Sequence, residues 1–215
     1  MPKEIFILGI NSSSRGKRGF TDKLLQQVLD GAERFGAKTK TIYLADKNIK
    51  PCDGKCSDSL KSCKYPCPIK DDVNGILKEI LNADGVVFGT PTYWFSMSGL
   101  MKNLLDRMTC LENNGYLCEG KIAGFVAVEE VSGAISAILP LAGALSHMGF
   151  IIPPYAMICS NHEEIKNKKG WVFWDTGLLG KNMVMLAGLQ KEMQVSYDYP
   201  KKWYKNKNVS SRAKV

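Results

Sequence analysis

The alternation of short apolar runs with helix-length amphipathic stretches is the feature that most narrows the fold of this chain. Runs typical of strands occupy residues 5–10, 39–44, 85–88, 122–128 and 151–158, and helical periodicity occupies 22–35, 71–83, 99–107, 134–148 and 176–193. A double proline interrupts the fifth run, which suits an edge strand. This order of elements predicts a parallel sheet with helices on both faces.

The length and charge of the chain set further limits. Its 215 residues suffice for one substantial domain, which we expect at 1–195. The formal net charge is +8, and six Lys or Arg residues against one Asp fall in a tail at 196–215. We interpret that tail as a solvated basic segment and expect no nucleic-acid partner. The sequence has neither a signal-peptide pattern nor about 18 consecutive apolar residues, so we expect a cytoplasmic protein with no membrane partner.

Three polar or aromatic loops, at 11–21, 91–98 and 129–133, follow the first, third and fourth predicted strands. If the strand order is 2-1-3-4-5, these loops converge at the topological switch point, where open α/β sheets bind ligands. The first loop is rich in serine and positive charge and opens onto a helix, which favours a phosphate group. It carries neither G-x-x-x-x-G-K-[ST] nor G-x-G-x-x-G, which disfavours a nucleoside triphosphatase or a dinucleotide site.

The second loop carries three consecutive aromatic residues, Tyr93, Trp94 and Phe95. A short loop has no core of its own to fill with three rings. We therefore interpret them as a platform for a flat cofactor, with packing beneath the loop or at a subunit contact as the alternative. Ser96 and Ser98 are candidate N-caps for the helix that follows.

Four of the seven cysteines lie within sixteen residues, in the order Cys52-x3-Cys56-x6-Cys63-x3-Cys67. Four neighbouring thiolates can hold a [4Fe–4S] cluster or a zinc ion, and free thiols are the third interpretation. Without a secretory signal, a disulfide framework is disfavoured. The remaining cysteines are isolated and are interpreted as ordinary thiols.

Several motifs in order resemble a known family. Residues 9–15, Gly-Ile-Asn-Ser-Ser-Ser-Arg, with Thr21 downstream, resemble a phosphate loop of the form GINGSPRK…NT. Residues 67–72 resemble CxIKDD, and residues 83–107 resemble ADGIIFGSPVYF…SG…LKxxIDR. Over about residues 4–150, the chain resembles the flavodoxin-like NAD(P)H-dependent FMN reductases, and most of all their iron-sulfur flavoprotein branch.

The resemblance implies a fold and a set of cofactor contacts. The fold is a flavodoxin-like, doubly wound, five-stranded parallel sheet of order 2-1-3-4-5, with a Cys-rich insertion at 50–70 after strand two. FMN would bind with its phosphate on the first loop and its ring on the other two. The implied cofactor-binding residues are Ser12, Ser13, Ser14, Arg15, Phe20, Thr21, Pro91, Thr92, Tyr93, Trp94, Phe95, Ser96, Glu129, Ser132 and Gly133.

This chain departs from the family pattern at several of these positions. Ser12 and Ser14 replace Gly and Pro, and Phe20 stands where Asn is usual. At 129–130 the chain has two glutamates, where the family often has a Gly-rich, less acidic turn. The cysteine spacing of three, six and three differs from the compact motif of the iron-sulfur branch.

The implied function is an FMN-dependent oxidoreductase that moves electrons from NAD(P)H or a low-potential carrier to a flavin, quinone or similar acceptor. The alternative is a non-enzymatic iron-sulfur flavoprotein that only carries electrons. The flavin itself takes the hydride, so no side-chain base is required and neither histidine is expected to be catalytic. The partners would be small-molecule or protein electron donors and acceptors.

We also expect a homo-oligomer, a dimer or tetramer, with the cysteine segment facing another protomer's flavin. The segment carries Tyr65, Pro66 and Pro68, apolar groups that a short loop would not bury alone. The resembled branch forms such assemblies, so this expectation rests partly on the resemblance.

Overall fold

A computed structural model describes residues 4–58, 62–167 and 170–193. Its centre is one parallel five-stranded sheet of order β2-β1-β3-β4-β5. The strands are Phe6–Asn11 (β1), Lys38–Tyr43 (β2), Gly85–Pro91 (β3), Ile122–Glu129 (β4) and Met157–Asn161 (β5). The predicted flavodoxin-like order, with the Cys-rich insertion after strand two, is confirmed. The predicted domain boundary at 195 and the basic tail lie outside the described residues.

Helices fill the crossovers between strands. They are Phe20–Arg34 (α1), Lys55–Asp58 (α2), Val73–Asn82 (α3), Gly99–Arg107 (α4), Thr109–Glu112 (α5), Ala134–His147 (α6), His162–Asn167 (α7) and Val172–Met193 (α8). The five helices predicted from periodicity are present. The short helices α2, α5 and α7 were not predicted, because one or two turns are too few to establish a period. Among the described residues, no helix is both long and apolar enough to cross a bilayer.

The burial of the strands follows their place in the sheet. The central strands β3 and β4 are buried along almost their whole length, as expected where helices cover both faces. The edge strand β2 alternates exposed and partly buried residues and carries lysines, which disfavour pairing with another chain.

At the other edge of the sheet, β5 is shorter at its start than predicted. The predicted fifth strand at 151–158 begins in the structure only at Met157, after the double proline. Ile151 retains a single parallel bridge to Ile122. Proline offers no N–H to a ladder, so continuous pairing resumes only beyond it.

A close crossing of α1 and α8 covers one face of the sheet. Gly31 of α1 approaches Gly177, and Gly180 approaches the α1 backbone even more closely. A Cβ built on Gly180 would lie 2.6 Å from the backbone nitrogen of Ala32 and 2.8 Å from the carbonyl carbon of Gly31. Only a residue without a side chain permits this approach, so glycine sets the distance between the two helices.

We predict that Gly180→Ala lowers the free energy of unfolding by about 2–3 kcal/mol, because backbone atoms of α1 must move away. The matched control is Gly188→Ala in the same helix, where an added Cβ meets nothing within 4 Å. That change should stabilise the protein by about 0.5–1 kcal/mol through helix propensity. Denaturant unfolding of both variants measures the difference, and equal effects would contradict the assignment.

Candidate functional site

The loop after β1 is curled onto the start of α1 by a buried side-chain pair. Asn11 Nδ2 donates to Asp22 Oδ1 at 3.0 Å, and Asn11 Oδ1 accepts from the backbone N–H of Ser13 at 2.8 Å. Both side chains are almost fully buried. The residues between them, which include the predicted phosphate contacts, are therefore held at the amino end of α1.

This loop forms a tight cradle at the amino end of α1. A Cβ on Gly19 would lie 2.9 Å from Ser13 Oγ and 3.3 Å from Arg15 Cβ, so a side chain at this position would displace the Ser13 hydroxyl group. The N-cap of α1 is Gly19, which has no side chain to accept from the N–H groups of the first turn. With the exposed Arg15 beside them, these donors suit an anion. Thr21 is buried in the same turn.

Three buried hydroxyl groups tie this loop to the third strand and to α4. Ser12 Oγ donates to the carbonyl oxygen of Gly89 at 2.9 Å, and Ser98 Oγ lies 2.8 Å from Ser12 Oγ. Ser98 caps α4 by accepting from the N–H of Met101, and its own N–H donates to Thr90 Oγ1 at 2.9 Å. The predicted cap at Ser98 is thus present. The Ser12 hydroxyl joins strand ends, and its role toward a cofactor stays a prediction.

The aromatic loop folds back on itself in a two-residue turn. Tyr93 and Ser96 exchange backbone hydrogen bonds of 2.9 and 3.0 Å. Between them, Trp94 and Phe95 have φ values of 51° and 62°, the left-handed region that type I′ turns require and that bulky residues rarely adopt. Such backbone conformations cost about 1–3 kcal/mol each and concentrate at ligand sites.

The turn presents its rings to solvent. Within this chain Trp94 is 95% exposed and Phe95 62% exposed, so the rings do not pack beneath the loop. Tyr93, about half exposed, reaches toward the first loop, where its hydroxyl lies 3.4 Å from Ser14 Oγ. The platform interpretation and the subunit-contact interpretation both require exposed rings.

The loop after β4 meets this turn from the other side. Gly133, with φ of 101°, lies where a Cβ would be 2.8 Å from Phe95 Cδ1 and 3.3 Å from Thr92 Cγ2. Thr92 Oγ1 is buried and has no hydrogen-bond partner among the described residues. Ser132 is exposed beside it, and Glu129 Oε2 accepts from the N–H of Ala134 at the start of α6. A ligand that offers a hydrogen-bonding edge here would satisfy the Thr92 hydroxyl.

The start of α7, directly after β5, also reaches this edge of the sheet. His162 Nδ1 lies 2.9 Å from Glu130 Oε2, and the His162 ring lies 5.8 Å from the ring of Phe20. These contacts join the starts of α7 and α1 to the loop after β4. Sequence reasoning gave His162 no role, because its partners are distant in the chain and only the fold brings them together.

The cysteine segment forms a separate cleft on the α4 side of the sheet. Cys52, Cys56, Cys63 and Cys67 line this cleft together with the buried Cys110, which the sequence gave no role. We call it the thiol cleft. As placed, no three Cys, His, Asp or Glu side chains in the described ranges stand close enough to hold one metal ion. The donor set itself, four half-buried thiols on one cleft, fits a soft metal centre.

A buried ion pair forms one wall of the thiol cleft. Arg107 pairs with Asp71 at 2.6 and 3.1 Å, and neither side chain is exposed. Burial favours the neutral form of each, but the hydrogen bonds and neighbouring charges around the two groups together outweigh it, so the pKa of Asp71 is lowered and that of Arg107 raised. Burial also raises the pKa of Cys110, to about 12.

Comparison with known proteins identifies the family. Residues 5–164 match the family described as NADPH-dependent FMN reductase. The chain belongs to that family. Because the match covers most of the chain and all three converging loops, the resemblance expected from the motifs is confirmed.

Curated relatives point to the same branch of this reductase family. The chain is 38% identical over 122 residues to an iron-sulfur flavoprotein of Methanocaldococcus jannaschii, a match that covers 57% of this chain and 61% of that protein. An iron-sulfur flavoprotein of Archaeoglobus fulgidus is 33% identical over 116 residues, with coverages of 54% and 55%. The matched region thus spans less than two thirds of these relatives.

Solved structures support the fold of this reductase-family chain. RosB, crystallised with the bound intermediate 8-demethyl-8-formylriboflavin-5′-phosphate, has a TM-score of 0.80 at 17% identity, and the match covers 98% of this chain and 88% of RosB. An NADH:FMN oxidoreductase, EmoB, solved in its apo form, has a TM-score of 0.61 at 17% identity, with coverages of 90% and 91%. At such identities the likeness concerns the fold.

We predict that Gly133→Ala disturbs the contact between the turn and the β4 loop. The left-handed backbone costs alanine about 1–2 kcal/mol, and the new methyl group must push Phe95 aside. Denaturant unfolding should show this loss, and affinity for FMN should fall with it. Gly143→Ala in α6, where an added Cβ meets nothing within 4 Å, is the control and should change neither quantity adversely. Unchanged FMN affinity in Gly133→Ala would exclude this contact from the site.

Proposed function

We propose that this protein is an FMN-dependent oxidoreductase that takes electrons from NAD(P)H or a low-potential carrier and passes them to a flavin, quinone or similar acceptor. The observation that carries the proposal is the convergence of three loops at the switch point. Ser14 meets Tyr93 there, and Gly133 meets Phe95. Membership of the FMN reductase family and the position of this convergence support the same assignment.

The first loop would hold the FMN phosphate. Ser13, Arg15 and Thr21 surround the uncapped amino end of α1, and Ser12 and Ser14 lie beside them. A charged side chain, hydroxyl groups and a helix N-terminus together favour a dianionic group. The carboxylate of the buried Asp22 accepts a hydrogen bond from the Asn11 side chain, so it is already engaged within the loop.

The other two loops would hold the ring system. Residues 91–96 supply aromatic surface, and the Thr92 hydroxyl supplies a hydrogen bond that no described residue uses. Gly133 leaves room beside Phe95 on the neighbouring loop. FMN, when bound, supplies the hydride and electron chemistry, while the chain orients the ring and sets its electrostatic surroundings.

We predict that replacing Arg15 by Ala and Thr21 by Val together weakens FMN binding by at least about tenfold. Each lost contact is worth on the order of 1–3 kcal/mol, and 1.4 kcal/mol is tenfold in affinity. Flavin fluorescence titration of the stripped full chain measures the change. Lys38→Ala is a charge-matched control, because Lys38 is exposed at the amino end of β2 and pairs with Glu4. Failure of the wild-type chain to bind FMN would reject the proposal.

The enzymatic proposal differs from a pure electron carrier in one measurement. We predict that the FMN-loaded chain oxidises NADH or NADPH in repeated turnovers when a quinone is supplied. The Arg15 and Thr21 double variant, which binds FMN more weakly, should need correspondingly more FMN to reach the same turnover. A chain that binds FMN and accepts electrons from a chemical reductant, but turns over neither nucleotide, would be the carrier instead.

We further propose that the thiol cleft holds a [4Fe–4S] cluster, for which the relatives' names and the four-thiol donor set give support. Zinc and free thiols are the competing occupants, and iron, sulfide and zinc analysis of protein prepared without air distinguishes them. The protein's residues would supply four thiolates from one segment. Cluster formation must also draw the segment together, because the described side chains do not yet share one coordination centre.

We also propose that the chain forms the predicted homo-oligomer, a dimer or tetramer. The exposed side chains of Trp94 and Phe95 could contact a second copy of the chain. The expectation that Tyr65 lies at a subunit contact is weakened, because Tyr65 packs against the protein's own core. Sedimentation of the full chain at micromolar concentration tests the assembly, and a monomer there would reject it.

A further inference from the structure

The two edges of the sheet differ in how they are protected against pairing. The edge strand β2 carries the exposed Lys38 and Lys40, and charged side chains on an edge strand are a common means of preventing contact with another chain. The other edge strand, β5, carries no charge. Its first residue, Met157, and the preceding Tyr155 are exposed, and in the described part of the chain no further strand lies beyond β5. This edge is therefore unguarded.

The lack of charge extends well beyond β5. Between Glu130 and Glu163 there is no Asp, Glu, Lys or Arg, although these residues make up 23% of the chain. This stretch includes most of the loop after β4, the whole of α6 and the whole of β5. A helix with one face in water normally carries charged residues on that face. On α6, the exposed face instead carries Ile135 and, one turn later, Leu139.

These residues belong to one flank of the molecule. The helix α6 packs against β4 and β5, so its exposed face adjoins the free edge of the sheet. We call the surface formed by the exposed Val131, Ile135, Leu139, Tyr155 and Met157 the charge-free flank. Single exposed apolar residues are normal on a protein surface, whereas a group of them in one region marks a site of interaction.

The absence of charge distinguishes between possible occupants of this flank. The basic segment at 196–215 carries six Lys or Arg residues, and the charge-free flank offers them no carboxylate. The chain as a whole has a formal net charge of +8. When two identical chains associate about a twofold axis, the same surface meets itself, so a surface with an excess of one charge would meet that charge again. A surface without charge avoids this repulsion and suits a second copy.

We propose that the charge-free flank is the contact surface between two copies of this chain. This inference rests on the homo-oligomer proposed above and gives the location of its contact. It places the contact on α6 and β5, whereas the sequence led us to expect it at the cysteine segment. The flank also borders the candidate flavin site, because Gly133, two residues beyond Val131, contacts Phe95 of the aromatic turn.

Leu139→Glu in the full chain tests the α6 part of the flank by sedimentation equilibrium. The change should raise the dissociation constant of the copies by at least about a hundredfold, because each copy would take an unpaired carboxylate out of water. Leu189→Glu is the matched control. Leu189 is 51% exposed and Leu139 is 54% exposed, but Leu189 lies on α8, outside the flank. The control should associate as wild type does.

Met157→Lys tests the free edge of β5. This change gives β5 the kind of side chain that protects β2, and it should also weaken association of the copies. Both variants should retain the FMN content of wild type, because the altered side chains are exposed and lie outside the three loops of the flavin site. If Leu139→Glu does not fold, Met157→Lys decides the question.

The outcomes separate this inference from the proposals on which it rests. A wild-type oligomer that neither Leu139→Glu nor Met157→Lys weakens overturns the inference and leaves the homo-oligomer standing. Equal weakening by Leu139→Glu and Leu189→Glu also overturns it, since added negative charge at any exposed position would then be the cause. A wild-type monomer at micromolar concentration overturns both. FMN content, measured in the same samples, reports on the flavin site independently.

Discussion

A sheet of parallel strands depends on one geometric constraint, that no two neighbouring strands can be joined by a short turn. Every connection must cross a face of the sheet, so helices bury both faces and all carboxyl ends lie along one edge. In this chain, that edge collects the loops after β1, β3 and β4 and the start of α7. The strand order reverses between β1 and β3, and the hydroxyl groups of Ser12 and Ser98 bridge that point. The position of the candidate flavin site therefore follows from the strand order alone, whatever residues line the site.

Local strain and buried charge both concentrate next to the proposed sites. The turn at Trp94 and Phe95 holds two bulky residues in left-handed backbone, yet both side chains remain mostly exposed within the described chain. The ion pair of Arg107 and Asp71 removes two charges from water, a cost that replacement by apolar residues would avoid. Neither feature is explained by stability of the single chain. Each is explained if the surrounding side chains serve a bound group.

The sequence predicted what depends on nearest neighbours along the chain. Strand and helix periodicity, the cap at Ser98 and the loop at the start of α1 are all local patterns, and the structure contains them. The contacts of His162 with Phe20 and of Arg107 with Cys67 join residues from different elements, and no local pattern encodes them. The left-handed backbone of Trp94 and Phe95 could not be predicted from the sequence either. Bulky residues rarely adopt it, and here the surrounding fold overrides that local preference.

The helix α4 has two ends with different tasks. Its N-cap, Ser98, is hydrogen-bonded to Ser12 in the loop after β1, and its last residue, Arg107, lines the thiol cleft. A helix of nine residues is a rigid rod about 14 Å long. The spacing between the two regions is therefore set by the covalent geometry of one helix, and loop motion around either region would alter it little. A longer cysteine segment, or one with a different spacing, would therefore leave the distance between Ser98 and Arg107 unchanged.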